Sequence, residues 1–458
     1  MKWGSRLSIL CAAFSCASLV HSSENAACAE EVSNEQRSSV AGSPDIFASY
    51  LTDVGEQPDQ IVLAGFKARN SCSDQDGCGG CTSDTSGLFR SAMSGDGWLD
   101  VDAAYRGEVF NNMRGGSSVS GATAYTGCVD LLFAADLDQF SSGPGGLFVL
   151  HFQSLDGQGI ADRYVGAQQQ QQQQQRVSNI DGNPGAGFAL TQVSQFFYQR
   201  GFGDGKMTVK VGKILADSEF AIQTLGGDYI NTSFGWTHTL PLAAYPNPTA
   251  GVVTHFQLTE ALGLKVGVFD GAPDGGNWGF SDTGDVNTLF EIRRHHSLGC
   301  GQLDGDIHAG YWFHNGTFSS HPTGTQHTGN YGVYWGISQM LTRECRCNPD
   351  DTQGLGTFLH FGWAPEDRNR VQQYWGGGLV YRGLIDGRDT DTCGIGIANM
   401  VFSDNLTMSL SNETVVELFY KIRVGDRLVL QPDFQFISHP GGNLPDSSVF
   451  GLRFEVAL

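Results

Sequence analysis

The sequence lacks long apolar runs and is poor in positive charge. Beyond residues 1–29 it has no stretch of about 18 consecutive apolar residues, which excludes membrane-spanning helices. Lys and Arg total 27 against 48 Asp and Glu, and no basic patch offsets the formal net charge of −21. That balance excludes nucleic acid as a partner. It does not exclude a transmembrane β-barrel, because barrel strands alternate apolar and polar residues and their mean hydropathy is near zero.

Motifs for catalysis and metal binding are also scarce. No GxSxG nucleophile motif occurs, and no pair of carboxylates stands out as the acid and base of a secreted glycosidase. The run "CSDQDGCGGC" (Cys72–Cys81) lacks the second CxxC or the histidine pair that would complete a zinc site. His295 and His296 are interpreted as turn or lumen residues. The sequence therefore predicts no enzyme, no cofactor and no metal.

Residues 1–29 have the features of an export signal peptide. Lys2 and Arg6 precede an apolar core, and small residues allow cleavage after Ser22 or after Ala29. Cleavage after Ala29 would remove three of the 11 cysteines and leave an even number. An exported chain with an even cysteine count predicts disulfides, either within the chain or as crosslinks to itself or to other envelope proteins.

The sequence is rich in glycine, with 62 residues, and in period-two alternation. At the end of the chain Phe450, Leu452 and Phe454 alternate with Arg453 and Glu455. Such alternation indicates a sheet with one apolar and one polar face. In a soluble sandwich the apolar face would pack into a core. In a membrane barrel it would contact lipid, and the polar face would line a water-filled lumen.

The same alternation predicts an all-β fold, a transmembrane antiparallel β-barrel of about 16 strands. Many runs approach the ~9–11 residues that a tilted strand needs to cross a bilayer. Five tryptophans near run ends are expected to form interfacial girdles: Trp98, Trp236, Trp278, Trp363 and Trp375. The last residue ends the last strand, as expected where a barrel closes. The predicted strands are 98–109, 126–138, 145–154, 187–200, 205–214, 249–260, 261–270, 287–294, 304–315, 328–342, 354–364, 374–385, 394–403, 412–424, 426–437 and 447–458.

Three segments interrupt this pattern. Residues 30–97, between the signal peptide and the barrel domain 98–458, are polar and contain cysteines, which predicts a periplasmic or plug-like segment. The tract Gln168–Gln175 is interpreted as a tolerated repeat expansion in a loop. Residues 215–248 are too interrupted by Gly and Pro for a strand pair, and we expect them to fold inward as a constriction. Short joins such as 425–426 are expected in the periplasm and longer joins such as 438–446 outside.

Several short motifs carry a family resemblance. "VKVGKILADSEFA", "YINTSFGW", "VGVFDGAPDG", "GGLVYRGLIDGRDTDTCGIGIA" and "LQPDFQFISHPGGN" occur in this order. Together they resemble the OprB family of carbohydrate-selective porins. The resemblance implies a sixteen-stranded barrel in the bacterial outer membrane that passes monosaccharides and similar small polar solutes by facilitated diffusion. Small sugars and outer-membrane lipid are then the expected partners.

A porin needs no catalytic group, only a wet lumen with a narrow place and polar side chains that replace part of the solute's hydration. Arginines and carboxylates suit sugar hydroxyls because their hydrogen-bonding groups have fixed geometry. The alternative for each candidate is that it contacts water on the inner wall and pairs with a residue on the next strand, without contacting a sugar. The candidate pore-lining residues are Asp100, Asp102, Arg106, Arg382, Glu417, Lys421, Arg423, Arg453 and Glu455, with Trp312 and Phe419 as aromatic surfaces for the sugar ring.

Two other functions remain open at this point. The chain could be a general porin or a disulfide-crosslinked structural porin of the outer membrane. It could also be a soluble secreted β protein, such as an adhesin or a hydrolase. The alternation of the last strand favours either kind of membrane barrel over the soluble protein.

Overall fold

The computed structural model describes residues 98–140, 145–166, 180, 190–241, 247–272, 278–299, 303–344 and 351–458. The predicted signal peptide, residues 30–97 and the glutamine tract lie outside these residues. The described chain forms a closed barrel in which each strand pairs antiparallel with its neighbours in sequence and the first strand pairs with the last. This confirms the predicted fold class and the number of strands.

The strands have the following bounds: β1 Leu99–Arg114, β2 Thr123–Asp136, β3 Leu147–Gly157, β4 Leu190–Phe202, β5 Met207–Ile214, β6 Thr249–Thr259, β7 Leu262–Asp270, β8 Val286–Leu298, β9 Leu303–Ser319, β10 Gln326–Met340, β11 Gly354–Trp363, β12 Val371–Arg382, β13 Thr392–Phe402, β14 Glu413–Val424, β15 Leu428–Ser438 and β16 Ser447–Ala457. In the described residues, helical structure is confined to short turns: Leu137–Gln139, Ala161–Val165, Ala216–Ser218, Thr224–Asp228, Thr232–Gly235 and Pro440–Gly442. In the described chain, none of these helices has the length and apolar character needed to cross a membrane.

The two faces of the sheet follow the alternation in the sequence. On β16, Phe450 is 50% exposed and Leu452 is 40% exposed, whereas Arg453 and Glu455 are buried. Apolar side chains therefore point outward and charged ones inward, which is the arrangement of a barrel in lipid and the reverse of a soluble sandwich. The same division holds on β9, where Tyr311 is exposed and the next residue, Trp312, is buried.

Most predicted strand bounds agree with the structure to within three residues, and the larger differences arise where strands continue into polar sequence. β1 runs five residues beyond its predicted end at 109, to Arg114. β8 continues to Leu298 and β9 to Ser319. Hydrogen bonds of a β-ladder join backbone groups, so a hairpin can extend beyond the apolar stretch that reveals it in the sequence.

The joins between strands alternate between the two ends of the barrel. One end, the short-turn end, carries joins such as 203–206, 260–261 and 425–427. The other, the long-loop end, carries the long joins 158–189 and 215–248. Residue 98 and the last residue both lie at the short-turn end. The expected placement of the short turns in the periplasm stays a prediction.

One predicted girdle tryptophan lies inside the barrel, and two cysteines take no part in the predicted disulfides. Trp98 and Trp375 are exposed on the barrel as expected for a girdle, but Trp236 packs against a buried apolar cluster inside the barrel. Trp236 belongs to the region 215–248, and the inward fold expected for that region is incompatible with a place in a lipid-facing girdle. Neither Cys128 nor Cys393 forms a disulfide, so the predicted disulfides do not involve these two cysteines. The remaining cysteines lie outside the described residues.

The lipid-facing stripe generates a stability prediction. Leu452 points outward at the middle of β16, where it pairs with Val109 and Pro432. We expect Leu452→Arg to lower the free energy of unfolding in lipid vesicles by ~2–4 kcal/mol, the cost of a cation near the bilayer midplane. Leu452→Ala is the control for lost packing. Equal urea-unfolding curves for the two variants would contradict a lipid-facing position.

Candidate functional site

A segment of the chain crosses the interior of the barrel. Residues 215–241, which we call the crossing segment, leave β5 and precede β6, yet they contact β14 and β15. Those two strands lie on the opposite side of the sixteen-stranded ring. The crossing segment therefore spans the lumen, within the region (215–248) that the sequence predicts as an inward constriction.

Buried charges hold the first part of the crossing segment to β5 and β8. Lys210 of β5 forms an ion pair with Glu219. The N–H of Ala221 donates to Glu291 Oε2 at 2.7 Å, and Arg293 donates from Nη2 to the carbonyl oxygen of Ile222 at 3.0 Å. Charged partners make these hydrogen bonds stronger than neutral ones, and burial excludes competing water.

A second anchor joins the crossing segment to β14 and β15. Both oxygens of Glu417 accept backbone N–H groups, from Ile230 at 2.7 Å and from Asn231 at 3.0 Å. Lys421 pairs with Asp228 at 2.9 Å. Glu417 is fully buried, so its charge depends on these donors. The position of the segment in the lumen is thus fixed from both walls.

Aromatic packing against glycine supports this second anchor. The rings of Tyr229 and Phe234 stack with centroids 4.4 Å apart, and both side chains are fully buried. They lie against Gly396 of β13, where a Cβ would stand 2.5 Å from Phe234 and 2.8 Å from Tyr229. Burial raises the pKa of Tyr229, whose hydroxyl donates to the carbonyl oxygen of Leu379. A glycine is required here because the aromatic rings occupy the space of a side chain.

The last part of the crossing segment is held by uncharged groups. Burial lowers the pKa of His238 to about 4, so its ring is neutral at pH 7. His238 Nε2 lies 3.1 Å from the hydroxyl oxygen of Ser233, and the hydroxyl of Tyr374 donates to the Ser233 carbonyl oxygen. Net charge in this part of the lumen therefore comes from the strands.

The wall from β14 through β16 to β2 carries inward-facing charged and amide side chains that we call the polar band: Lys421, Gln431, Arg453, Glu455, Arg106, Glu108 and Asp130. Its centre is the seam where the barrel closes. Arg453 Nε donates to Glu108 Oε1 at 2.7 Å, and Arg106 Nε donates to Glu455 Oε1 at 3.0 Å. The register places each pair directly across the two strands.

The polar band continues onto β2 and β3 around one carboxylate. Asp130 Oδ1 lies 2.8 Å from His151 Nε2 and accepts a hydrogen bond of 2.9 Å from Gln153. The Cys128 thiol donates to its other oxygen at 3.1 Å. All four side chains are buried, so the carboxylate is held in one orientation. Donors and acceptors thus alternate along this wall.

The structure brings most of the predicted pore-lining residues to this wall. Arg106, Arg453, Glu455 and Lys421 belong to the polar band, and Asp100 and Asp102 follow on the inner face of β1. Arg382 of β12 is paired with Thr392 of β13, which in turn is paired with Lys421 of β14.

The remaining predicted residues have different surroundings. Arg423 is half-buried near the end of β14. Glu417 is occupied by the crossing segment. Trp312 and Phe419 point inward but are buried, at 0% and 2% exposure, so neither offers a free ring face. Among the described residues there is no group of three or more His, Cys, Asp or Glu that could hold a metal.

Sequence reasoning missed Glu108, Asp130 and Asp228. Alternation could have found the first two: Glu108 lies two residues after Arg106, and Asp130 stands between the apolar Val129 and Leu131. Asp228 lies in the crossing segment, where no periodicity shows which side chains meet the wall.

The ion pair at the closing seam generates a prediction. Arg453→Met leaves the Glu108 carboxylate buried without its partner, and we expect a loss of ~3–5 kcal/mol in the free energy of unfolding. The double variant Glu108→Leu/Arg453→Met removes both charges and should recover most of that loss. Urea unfolding of the single and double variants measures the coupling. Additive effects would show that the two residues do not act as a pair.

The chain matches known proteins along most of its length. Residues 121–458 match the family model described as carbohydrate-selective porin, OprB family. Porin B of Pseudomonas aeruginosa is 21% identical over 406 residues, covering 78% of this chain and 87% of the relative. A putative porin, QuiX, of Acinetobacter baylyi is 22% identical over 316 residues, covering 58% of this chain and 69% of the relative.

Solved structures share the fold. The high-pH structure of OprB from Pseudomonas putida superposes with a TM-score of 0.70 at 20% identity, covering 79% of this chain and 95% of that chain. The low-pH structure of the same protein superposes with a TM-score of 0.52 at 18% identity, covering 79% of this chain and 93% of that chain. Family and barrel fold are non-enzymatic in kind, and they place the protein in the bacterial outer membrane. The chain belongs to the OprB family of carbohydrate-selective porins.

Proposed function

We propose that the protein passes monosaccharides and similar small neutral polyols by facilitated diffusion, along a path between the crossing segment and the polar band. The observation that carries this proposal is the anchoring of the crossing segment to both sides of the barrel by buried ion pairs and hydrogen bonds. A channel narrowed by a fixed segment makes every solute pass close to the opposite wall. Side chains on that wall can then replace part of the solute's hydration.

The chemistry of the polar band supports a neutral solute. Its cations and carboxylates are joined in pairs, Arg453 with Glu108 and Arg106 with Glu455. Paired charges give little net field for ions of either sign, but they keep donors and acceptors in fixed directions. Such an arrangement suits the many hydroxyls of a sugar, each of which can donate and accept.

The predicted pore-lining residues take separate roles in this proposal. Asp100, Asp102, Arg106 and Glu455 would bind solute hydroxyls beside the closing seam. Arg453 is only 2% exposed and would act by holding Glu108 in place behind them. Lys421, Arg423 and Arg382 would line the side of the lumen near the short-turn end. Glu417 would act by holding the crossing segment. Trp312 would pack against that segment from the barrel wall. The predicted disulfide crosslinks would concern cysteines other than Cys128 and Cys393.

The experiment is single-channel conductance of the purified, refolded protein in a planar bilayer. We expect glucose to reduce the conductance in a saturable way, because a bound sugar displaces ions and water from the narrow part of the lumen. An amino acid of similar size is the control, and it should have much less effect because its charged ends lack matching unpaired charges.

The other outcomes would point to other functions. Conductance steps unaffected by both solutes would indicate a general or structural porin. Absence of steps from protein that shows heat-modifiable gel mobility, the sign of a folded barrel, would contradict a channel function.

The glycine contact generates a further prediction about pore size. In Gly396→Ala the new Cβ would overlap Phe234 and Tyr229, an overpacking that typically costs ~1–3 kcal/mol and is relieved here if the crossing segment moves away from β13. We expect altered single-channel conductance and weaker glucose block.

Gly279→Ala is the matched control, because nothing lies within 4 Å of the Cβ position at Gly279. Its conductance and glucose block should equal those of the wild type. Identical behaviour of the Gly396 and Gly279 variants would show that the crossing segment does not set the pore.

A further inference from the structure

The second anchor of the crossing segment contains two carboxyl groups in contact. Glu417 of β14 and Asp433 of β15 are within hydrogen-bonding reach of each other, and both are buried, at 0% and 1% exposure. Asp433 Oδ1 accepts a hydrogen bond from Gln435 at 2.8 Å. Its Oδ2 has no donor within the described chain. A carboxylate oxygen cannot donate, so two ionised groups could not bond to each other.

The hydrogen bonds of Glu417 indicate which of the two carboxyl groups carries a proton. Both of its oxygens already accept backbone N–H groups from Ile230 and Asn231, which is the bonding of an ionised carboxylate. A proton on Asp433 Oδ2 would complete the set, since that hydroxyl could donate to Glu417. We propose that Glu417 and Asp433 share one proton, carried by Asp433, and that this proton keeps the crossing segment latched to β14, so that its loss at alkaline pH releases the segment and widens the pore.

The charged groups around the pair do not replace the proton. On β14, Lys421 is paired with Asp228 of the crossing segment. On the far side of β15, Arg453 of β16 is bonded to Glu108 of β1. From the crossing segment, Tyr229 faces Glu417 and donates its hydroxyl to a backbone carbonyl.

The facing residue on β13, Gly396, carries no charge. Ionising Asp433 would therefore place two negative charges in contact in a buried site. Repulsion would then weaken the hold of Glu417 on the N–H groups of the crossing segment.

The sign of the pH effect follows from this arrangement. At neutral pH the proton is present and the segment is latched. As pH rises the proton is lost, the anchor weakens and conductance increases. This inference goes beyond sugar transport, because conductance in plain KCl measures it without any sugar. Failure of glucose to block at neutral pH would count against the proposed function alone.

The test compares conductance between neutral and alkaline pH for the wild type, Asp433→Asn and Glu417→Gln. The amide of Asp433→Asn can donate to Glu417 without titrating, so we expect the alkaline rise to be lost and conductance to stay at the neutral wild-type level. Glu417→Gln has one carbonyl oxygen for two N–H groups, so its conductance should be raised at all pH values. Asp426→Asn, at an exposed turn, is the control and should keep the wild-type profile.

A spectroscopic measurement tests the proton directly. Infrared spectra of the refolded wild type at neutral pH should contain the C=O stretching band of a protonated carboxyl group, shifted in heavy water and lost at alkaline pH. Asp433→Asn should lack this band. The proposal is overturned if the band is unchanged in Asp433→Asn, or if that variant keeps the alkaline rise in conductance while retaining the gel mobility of a folded barrel.

Discussion

The pairing of β1 with β16 is the contact on which the rest of the structure depends. In a bilayer no water is available for unpaired N–H and C=O groups, so a sheet in lipid is stable only when its two edges meet. Here the closing seam also carries the ion pairs Arg453–Glu108 and Arg106–Glu455 on its inner face. The register that satisfies the backbone thus also brings four buried charges into pairs. A shift of one residue would turn the charged side chains toward lipid and the apolar ones toward the lumen.

Closure of the barrel alone would give a wide water-filled lumen, and the crossing segment narrows this lumen. Polar groups on the segment's backbone are satisfied by side chains that project from the wall, such as Glu291, Arg293 and Glu417. Irregular backbone at the depth of the membrane is tolerated where protein or lumen water surrounds it, and this barrel provides both. Some inward charges of the wall therefore hold the segment, Lys421 of the polar band among them, and others at the closing seam are joined to each other. These two uses explain why so many ionisable side chains are buried in one barrel.

Alternation in the sequence predicted sixteen strands, the outward stripe of β16 and the inward direction of Arg453 and Glu455, because side-chain direction in a strand depends only on local geometry. It predicted the ends of β1, β8 and β9 less well, since ladders continue through polar residues. The direction of Trp312 was right, but its burial depends on the crossing segment that covers it. Contacts such as Asp228 with Lys421 were beyond prediction, because they join residues far apart in the chain and one partner lies outside any periodic element.

Among the described residues, part of the acidic excess lies in turns, away from the polar band. Exposed acidic residues occur in the turns at both ends, among them Asp204, Glu260, Asp282, Asp386, Asp404 and Asp426. Water and salt screen those charges, so they act weakly over the distance to the middle of the barrel. At the closing seam, charges of opposite sign are joined in pairs, so a neutral solute there meets fixed dipoles. Position within the barrel therefore decides which charges a solute meets, and the net charge of −21 on the sequence does not by itself describe the lumen.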